Sequence, residues 1–166
     1  MVAPYLKSAA IFKCPADKSY VTRGSTLFPR VRSCSMNEYV GDPTNERGEV
    51  SRLSDPFYAY HFYKPDDFLK PGPSETYVLL EEHEDSINDG HFLLGGIDVR
   101  SWGWNDLPAC RHRRSANFAF ADGHVQKHMW RDPRTFQPVK RNRQHGLNQP
   151  NNPDVHWMVD HATAPK

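Results

Sequence analysis

A chain of 166 residues suits one domain spanning 1–166 and leaves little room for two. Hydrophobic residues make up 37% and the formal net charge is +1, so bulk charge points to no polyanion. Fourteen Pro and ten Gly argue against a helical bundle and for many turns and short elements, closed around four Trp, seven Tyr and nine Phe.

In chain order, residues 3–8 predict a short helix, and Pro15 then forces Cys14 out of the helical region. Residues 16–29, rich in Asp, Ser, Thr, Gly and Pro, read as loop. Val31 to Met36 alternates and predicts a strand, and residues 37–55 are polar and turn-rich. Phe57 to Tyr63 predicts an aromatic extended piece on the core. Pro65 starts a short turn of helix that Pro71-Gly72-Pro73 breaks. Glu75 to Leu80 is β-branched, aromatic and apolar, the best central strand of the chain. The acidic run 81–90 ends in the turn Asn88-Asp89-Gly90, and His91 to Leu94 predicts a further strand. A loop from Asp98 to Leu107 carries Trp102 and Trp104.

Two alternating runs, Asn117 to Ala121 and Val125 to Trp130, flank Asp122-Gly123, a strong hairpin signal because both turn residues tolerate positive φ. A two-residue loop would pair Phe120 with Val125, Phe118 with Lys127 and Asn117 with His128. Residues from about 131 to 153 predict an extended Pro/Asn-rich segment, followed by a short helix capped by Asp154. The fold class expected is α+β: an antiparallel sheet from residues about 31–36, 76–81, 91–95 and 115–130, long ordered loops and few short helices. No stretch approaches the roughly 18 consecutive apolar residues of a membrane span.

Candidate chemistry is dispersed. Cys14, Cys34 and Cys110 are odd in number, so at least one is free or intermolecular; Cys14 and Cys34 bridge only if the chain doubles back. The absence of Cys-x-x-Cys argues against a thiolate zinc site of the usual kind. Glu82, Asp85, Asn88 and Asp89 are candidate Ca²⁺ ligands by their oxygen chemistry, although position three of an EF-hand count from Asp85 is Ile87 and position twelve is Gly96. The alternative is an Asx-type turn that consumes these side chains locally. His112 is expected to approach Asp122 or Glu82, as a brace for the loop before the hairpin or as a catalytic or metal pair. Glu81 or Glu82 with Asp122 is a candidate carboxylate pair for polysaccharide hydrolysis. His124 and His128, four apart in a strand, lie about 13 Å from each other, too far for one metal. Trp102 and Trp104 are candidate stacking platforms for a cell-surface glycan or protein partner, against which stands burial in a core short of Leu and Ile. The basic run Arg111 to Arg114 has no nucleic-acid motif beside it. Residues 111–143, with nine Lys/Arg against Asp122 and Asp132, and the acidic run 81–89 read as two solvated surfaces of opposite sign within reach of each other, the alternatives being a polyanion patch in the basic stretch and a cation site in the acidic one.

Several ordered segments resemble the bacterial pseudopilin-like "H-X9-DG" family, relatives of the type II secretion major pseudopilin. His112, nine residues and Asp122-Gly123 match its signature. Phe12-Lys13-Cys14-Pro15-Ala16-Asp17 is similar to its Cys-Pro-x-Asp element. Arg30 to Asn37 is similar to its "RVRS-SMN" strand, and Glu82 to Phe92 resembles "DE--DSINDG-F", with Glu81 where the family usually has Asp. Arg113 and Arg114 stand where small or Gly-rich residues are common. The resemblance implies a pseudopilin-like globular domain without the N-terminal apolar helix. Cys14, Asn37, His112, Asp122 and Gly123 would be its structural signature residues. It further implies a bacterial, envelope-associated, periplasmic or extracellular setting, a non-catalytic structural or binding role through self-assembly or protein partners, and a Ca²⁺ loop in the globular domain. A Ca²⁺-dependent carbohydrate or surface-polymer binder and a hydrolase using Glu82 and Asp122 are the expected alternatives.

Overall fold

The computed structural model describes residues 7–41, 59–94 and 100–164. Most of the helix predicted over 3–8 and most of the turn-rich stretch 37–55 fall outside them. Among the described residues, nine strands and one α-helix make an α+β fold with a mostly antiparallel main sheet. The strands are β1 (Tyr20–Arg23), β2 (Thr26–Pro29), β3 (Cys34–Asn37), β4 (Tyr77–Glu81), β5 (His91–Phe92), β6 (Gly103–Trp104), β7 (Ser115–Phe120), β8 (Val125–Met129) and β9 (Leu147–Asn148); the helix is α1 (Pro153–Ala162).

The main sheet has the order β5-β3-β4-β7-β8, so the apolar run around Val78 to Leu80 is its middle strand. All pairs in it are antiparallel except β3 with β5, where Met36 faces His91 and Asn37 faces Phe92 in parallel. The parallel pair departs from the all-antiparallel expectation for a topological reason. A strand that follows β4 after one reversal runs against β4, and therefore alongside β3, next to which it lies.

The β7–β8 hairpin forms, but in a register one residue away from that of a two-residue loop: Phe118 faces Gln126, Asn117 faces Lys127 and Ala116 faces His128. The Gly123 amide donates to the Phe120 carbonyl at 2.9 Å, and the Phe120 amide to the His124 carbonyl at 2.9 Å. Gly123 has φ +93°. This is a three-residue loop, a turn followed by a left-handed glycine, which matches strand twist as well as a two-residue turn does. A one-residue change of register moves every side chain to the other face of a strand. It places His128 on the core side, where its ring stacks on Trp157 at 3.6 Å between centroids.

That core side carries Ala116, Phe118 and Phe120 of β7, and Leu80 opposite Phe118 on β4. Helix α1 covers it with buried Val155, Met158, Val159 and Ala162, one stripe of an amphipathic helix. Phe118 meets Tyr77 at 5.4 Å, Trp157 at 5.1 Å and Trp130 at 5.9 Å, all edge to face. Such pairs add about 0.5–1.5 kcal/mol each beyond the area they bury. The cap of α1 is Asn152, whose side-chain oxygen accepts from the Asp154 amide at 2.8 Å. Asp154, the predicted cap, is buried and accepts instead from the amides of Arg131 and Asp132 and from the Thr135 hydroxyl.

Two short pairings were not legible as strands. Residues 16–29, read as loop, contain the β1–β2 hairpin, and the tryptophan loop contains β6, paired with β9 of the segment read as extended. Gly103 has φ +136°, and a Cβ there would collide with the Leu147 carbonyl, so this close approach requires glycine. The predicted turn at Pro65 forms as a 3-10 turn over Pro65–Asp67.

Candidate functional site

Adjacent residues of a strand point to opposite faces of the sheet, and the end of β4 divides its two glutamates accordingly. Glu82 turns toward the core side, where Ser35 donates to its carboxylate. Glu81 turns to the other side, where Cys34 of β3 is its partner in register. Here Glu81 meets two residues from distant parts of the chain, Cys14 and His112.

Each is brought there by local structure. Cys14 follows the 3-10 turn Ala9–Phe12 and is buried; its amide donates to the Ser33 hydroxyl at 3.2 Å, and Ser33 donates to Asp17 at 2.5 Å. His112 precedes β7 in a reversal made by two consecutive left-handed residues, Arg113 (φ 55°) and Arg114 (φ 65°). The Ser115 hydroxyl donates back to the His112 carbonyl and closes this reversal. The Arg111 guanidinium anchors it, donating to Glu84 at 3.0 Å and to the Glu82 carbonyl at 2.6 Å. The acidic and basic runs therefore touch at Arg111 and Glu84, through nearly buried side chains and not between two solvated surfaces.

His112 Nε2 lies 3.1 Å from Glu81 Oε1 and 3.3 Å from Cys14 Sγ. The other carboxylate oxygen of Glu81 is held by Asn117, whose backbone amide donates at 3.0 Å and side-chain amide at 3.2 Å. Among the described residues, Cys14, Glu81 and His112 are the group of three potential metal-binding side chains whose ligand atoms converge. Glu81 is nearly buried and the His112 side chain is 32% exposed, so the cluster opens to solvent on the histidine side.

The arrangement does not suit thiol nucleophilic catalysis. A triad needs the thiol and the carboxylate on different imidazole nitrogens, whereas here both sit on Nε2. Burial and the hydrogen bond with Glu81 push the Cys14 thiol up rather than down, opposite to an activated cysteine. Burial likewise pushes Cys34 to about 11 and Cys110 to about 12. All three cysteines are free, so the Cys14–Cys34 bridge left open by the sequence is not formed.

The other candidate residues are placed apart. His112 does not reach Asp122 or Glu82: Asp122 sits at the hairpin tip, bonded to the amide of His124 at 3.0 Å and to its ring. The hairpin tip adjoins Pro73 before β4, while Glu82 follows β4. Strand length then separates the two carboxylates by about 20 Å, far beyond the roughly 5–9.5 Å of a glycosidase pair. The Ca²⁺ candidates Glu82, Asp85, Asn88 and Asp89 do not converge either. Asp85 is buried and accepts from the Lys140 amide at 2.5 Å and the Gln144 side chain at 2.7 Å. Asn88 accepts from the Asp89 amide and Asp89 from the His91 amide, which are local turn bonds. Trp104 is fully buried, with its ring N–H on Gln149 at 3.1 Å, and Trp102 is half-buried against the core; neither is a free stacking platform. Asn37 is structural: its side-chain amide donates to the carbonyls of Tyr77 and Ala162, both at 2.9 Å.

Glu82 is the site residue of the opposite face. It is fully buried, and burial, with Asp106 nearby, pushes its carboxyl up to about 7. The sequence carried no signal for the Cys14–Glu81–His112 meeting beyond the separate motifs, because no two of these residues share a local spacing. A scan of protein-family models and searches of curated proteins and of solved structures return no match to this chain.

Proposed function

We propose that the chain is a non-catalytic structural and binding domain of a pseudopilin-like, envelope-associated or secreted protein, acting through contact with other protein surfaces. One observation carries this reading. The β1–β2 hairpin buries no residue of either strand, yet it is apolar on both faces. Val21 pairs with Phe28 on one face, and Leu27 lies on the other; these three side chains are exposed, as are Ile11 and Val31 nearby in the chain. A lone two-stranded hairpin is marginal in water, and clustered exposed apolar side chains mark interaction surfaces. The wide separation of Glu82 from Asp122 and the upward push that burial gives the thiols also favour a domain that holds shape.

A second copy of the chain is the partner to test. Sedimentation velocity over a range of concentrations is expected to show reversible self-association, and the double variant Leu27→Ser/Phe28→Ser is expected to remain monomeric with an unchanged circular dichroism spectrum. A wild-type chain that stays monomeric at every concentration overturns the self-assembly reading.

A further inference from the structure

We infer that Cys14, Glu81 and His112 form a mononuclear zinc site whose fourth ligand is water. The inference does not rest on the proposed protein contacts, although Leu27 and Val31 line the same surface groove as Cys14.

Geometry makes the argument. Three donor atoms from three separate segments point at one locus, and the histidine nitrogen is shared by a thiol and a carboxylate. One ring nitrogen cannot make good hydrogen bonds to both. A cation among the three satisfies all of them at once. Tetrahedral zinc with Zn–S near 2.3 Å and Zn–N and Zn–O near 2.0–2.2 Å sets its ligand atoms about 3.3–3.6 Å apart. The observed contacts of 3.3 Å for sulfur to nitrogen and 3.1 Å for nitrogen to oxygen require an outward move of only a few tenths of an ångström.

Donor chemistry selects the ion. Ca²⁺ and Mg²⁺ take oxygen ligands, while a mixed sulfur, nitrogen and oxygen set suits borderline zinc. On binding, the Cys14 S–H proton passes to buffer and the sulfur lone pair forms the Zn–S bond. One thiolate and one carboxylate then neutralise the dication in a largely buried place. Asn117 is a positioning residue: its two donors hold one Glu81 oxygen and leave the other directed at the ion. The cluster opens to solvent beside His112, which leaves the fourth position of the ion to water.

Anaerobic titration of the reduced chain with Co²⁺ tests this directly. One equivalent is expected to bind with a near-ultraviolet sulfur-to-cobalt charge-transfer band and the visible bands of a four-coordinate ion, both bleached by Zn²⁺. Cys14→Ser is expected to lose the charge-transfer band, while Cys34→Ser and Cys110→Ser keep it. Asn117→Ala is expected to weaken zinc about tenfold, the low end for a supporting residue because the backbone amide still holds Glu81. If Cys14→Ser fails to fold, alkylation of the wild-type chain decides: Zn²⁺ is expected to slow modification of Cys14 at least about tenfold, because the free thiolate is the reactive form. No saturable Co²⁺ spectrum, a charge-transfer band that survives Cys14→Ser, or an alkylation rate at Cys14 indifferent to zinc would overturn the assignment.

Discussion

Replacing Glu82 by Gln should remove a pH dependence of stability that runs in the opposite sense to that of most carboxylates. Glu82 is fully buried, and burial raises its carboxyl from 4.5 to about 7. Between those values the folded chain binds a proton that the unfolded chain has lost, so stability falls as pH rises through this window and stays lowered above it. The penalty at pH 8 is about 3 kcal/mol. Gln has no charge to bury, and its carbonyl can accept from Ser35 as the carboxylate does. Its extra N–H donors sit in a dry place and cost about 1–2 kcal/mol. At pH 8 Glu82→Gln should therefore be more stable than wild type by about 1–2 kcal/mol, while near pH 4.5 it should be less stable by about the same amount. Urea midpoints of both chains at a series of pH values, with unchanged slopes, measure the difference and cancel the titration of every other group. A difference that is flat with pH, or that favours wild type above pH 7, would refute the reasoning.

His128 should act in the reverse direction. Burial pushes its pKa from 6.5 to about 4, so this residue is without penalty above 6.5 and destabilises the fold as pH drops from 6.5 toward 4. Allowing for its partial exposure, His128→Phe should gain about 1–2 kcal/mol on wild type at pH 4 relative to pH 7.5, read from denaturant midpoints. Asn37→Ala should destabilise by about 3 kcal/mol, because it strands two buried carbonyls and the Tyr39 amide; chemical unfolding at pH 7 checks this. Arg113→Gly should raise stability by about 0.5–1 kcal/mol, since Arg113 is exposed at positive φ where glycine has no Cβ to clash; a lower melting temperature for the variant would count against that.

The main sheet was legible wherever one residue's surroundings are set by its neighbours in sequence. Tyr77 to Leu80 announces a central strand because it is β-branched, aromatic and apolar, and Ala116, Phe118 and Phe120 alternate because one face of β7 meets α1. The hairpin was legible and its register was not: Asp122-Gly123 fits a two-residue and a three-residue loop equally, and the core contact of His128 with Trp157 decides between them. The β1–β2 hairpin escaped notice because it buries nothing and so shows no alternation. Strand β6 escaped because its partner lies more than forty positions downstream. The same distance problem hid the cluster at Glu81. Cys14, Glu81 and His112 each stood in a recognisable segment, but only the antiparallel stacking of β3, β4 and β7, together with the left-handed reversal at Arg113 and Arg114, puts them together.

The last described residues are also woven into early ones. Asn37 bonds the Ala162 carbonyl, while the Tyr60 amide donates to the Ala164 carbonyl and the Thr163 hydroxyl to the Tyr60 carbonyl. The middle of the chain thus cannot complete its hydrogen bonds until residue 164 has emerged from the ribosome. A nascent chain halted upstream of α1 would lack both these partners and the helix that covers the core side of its sheet.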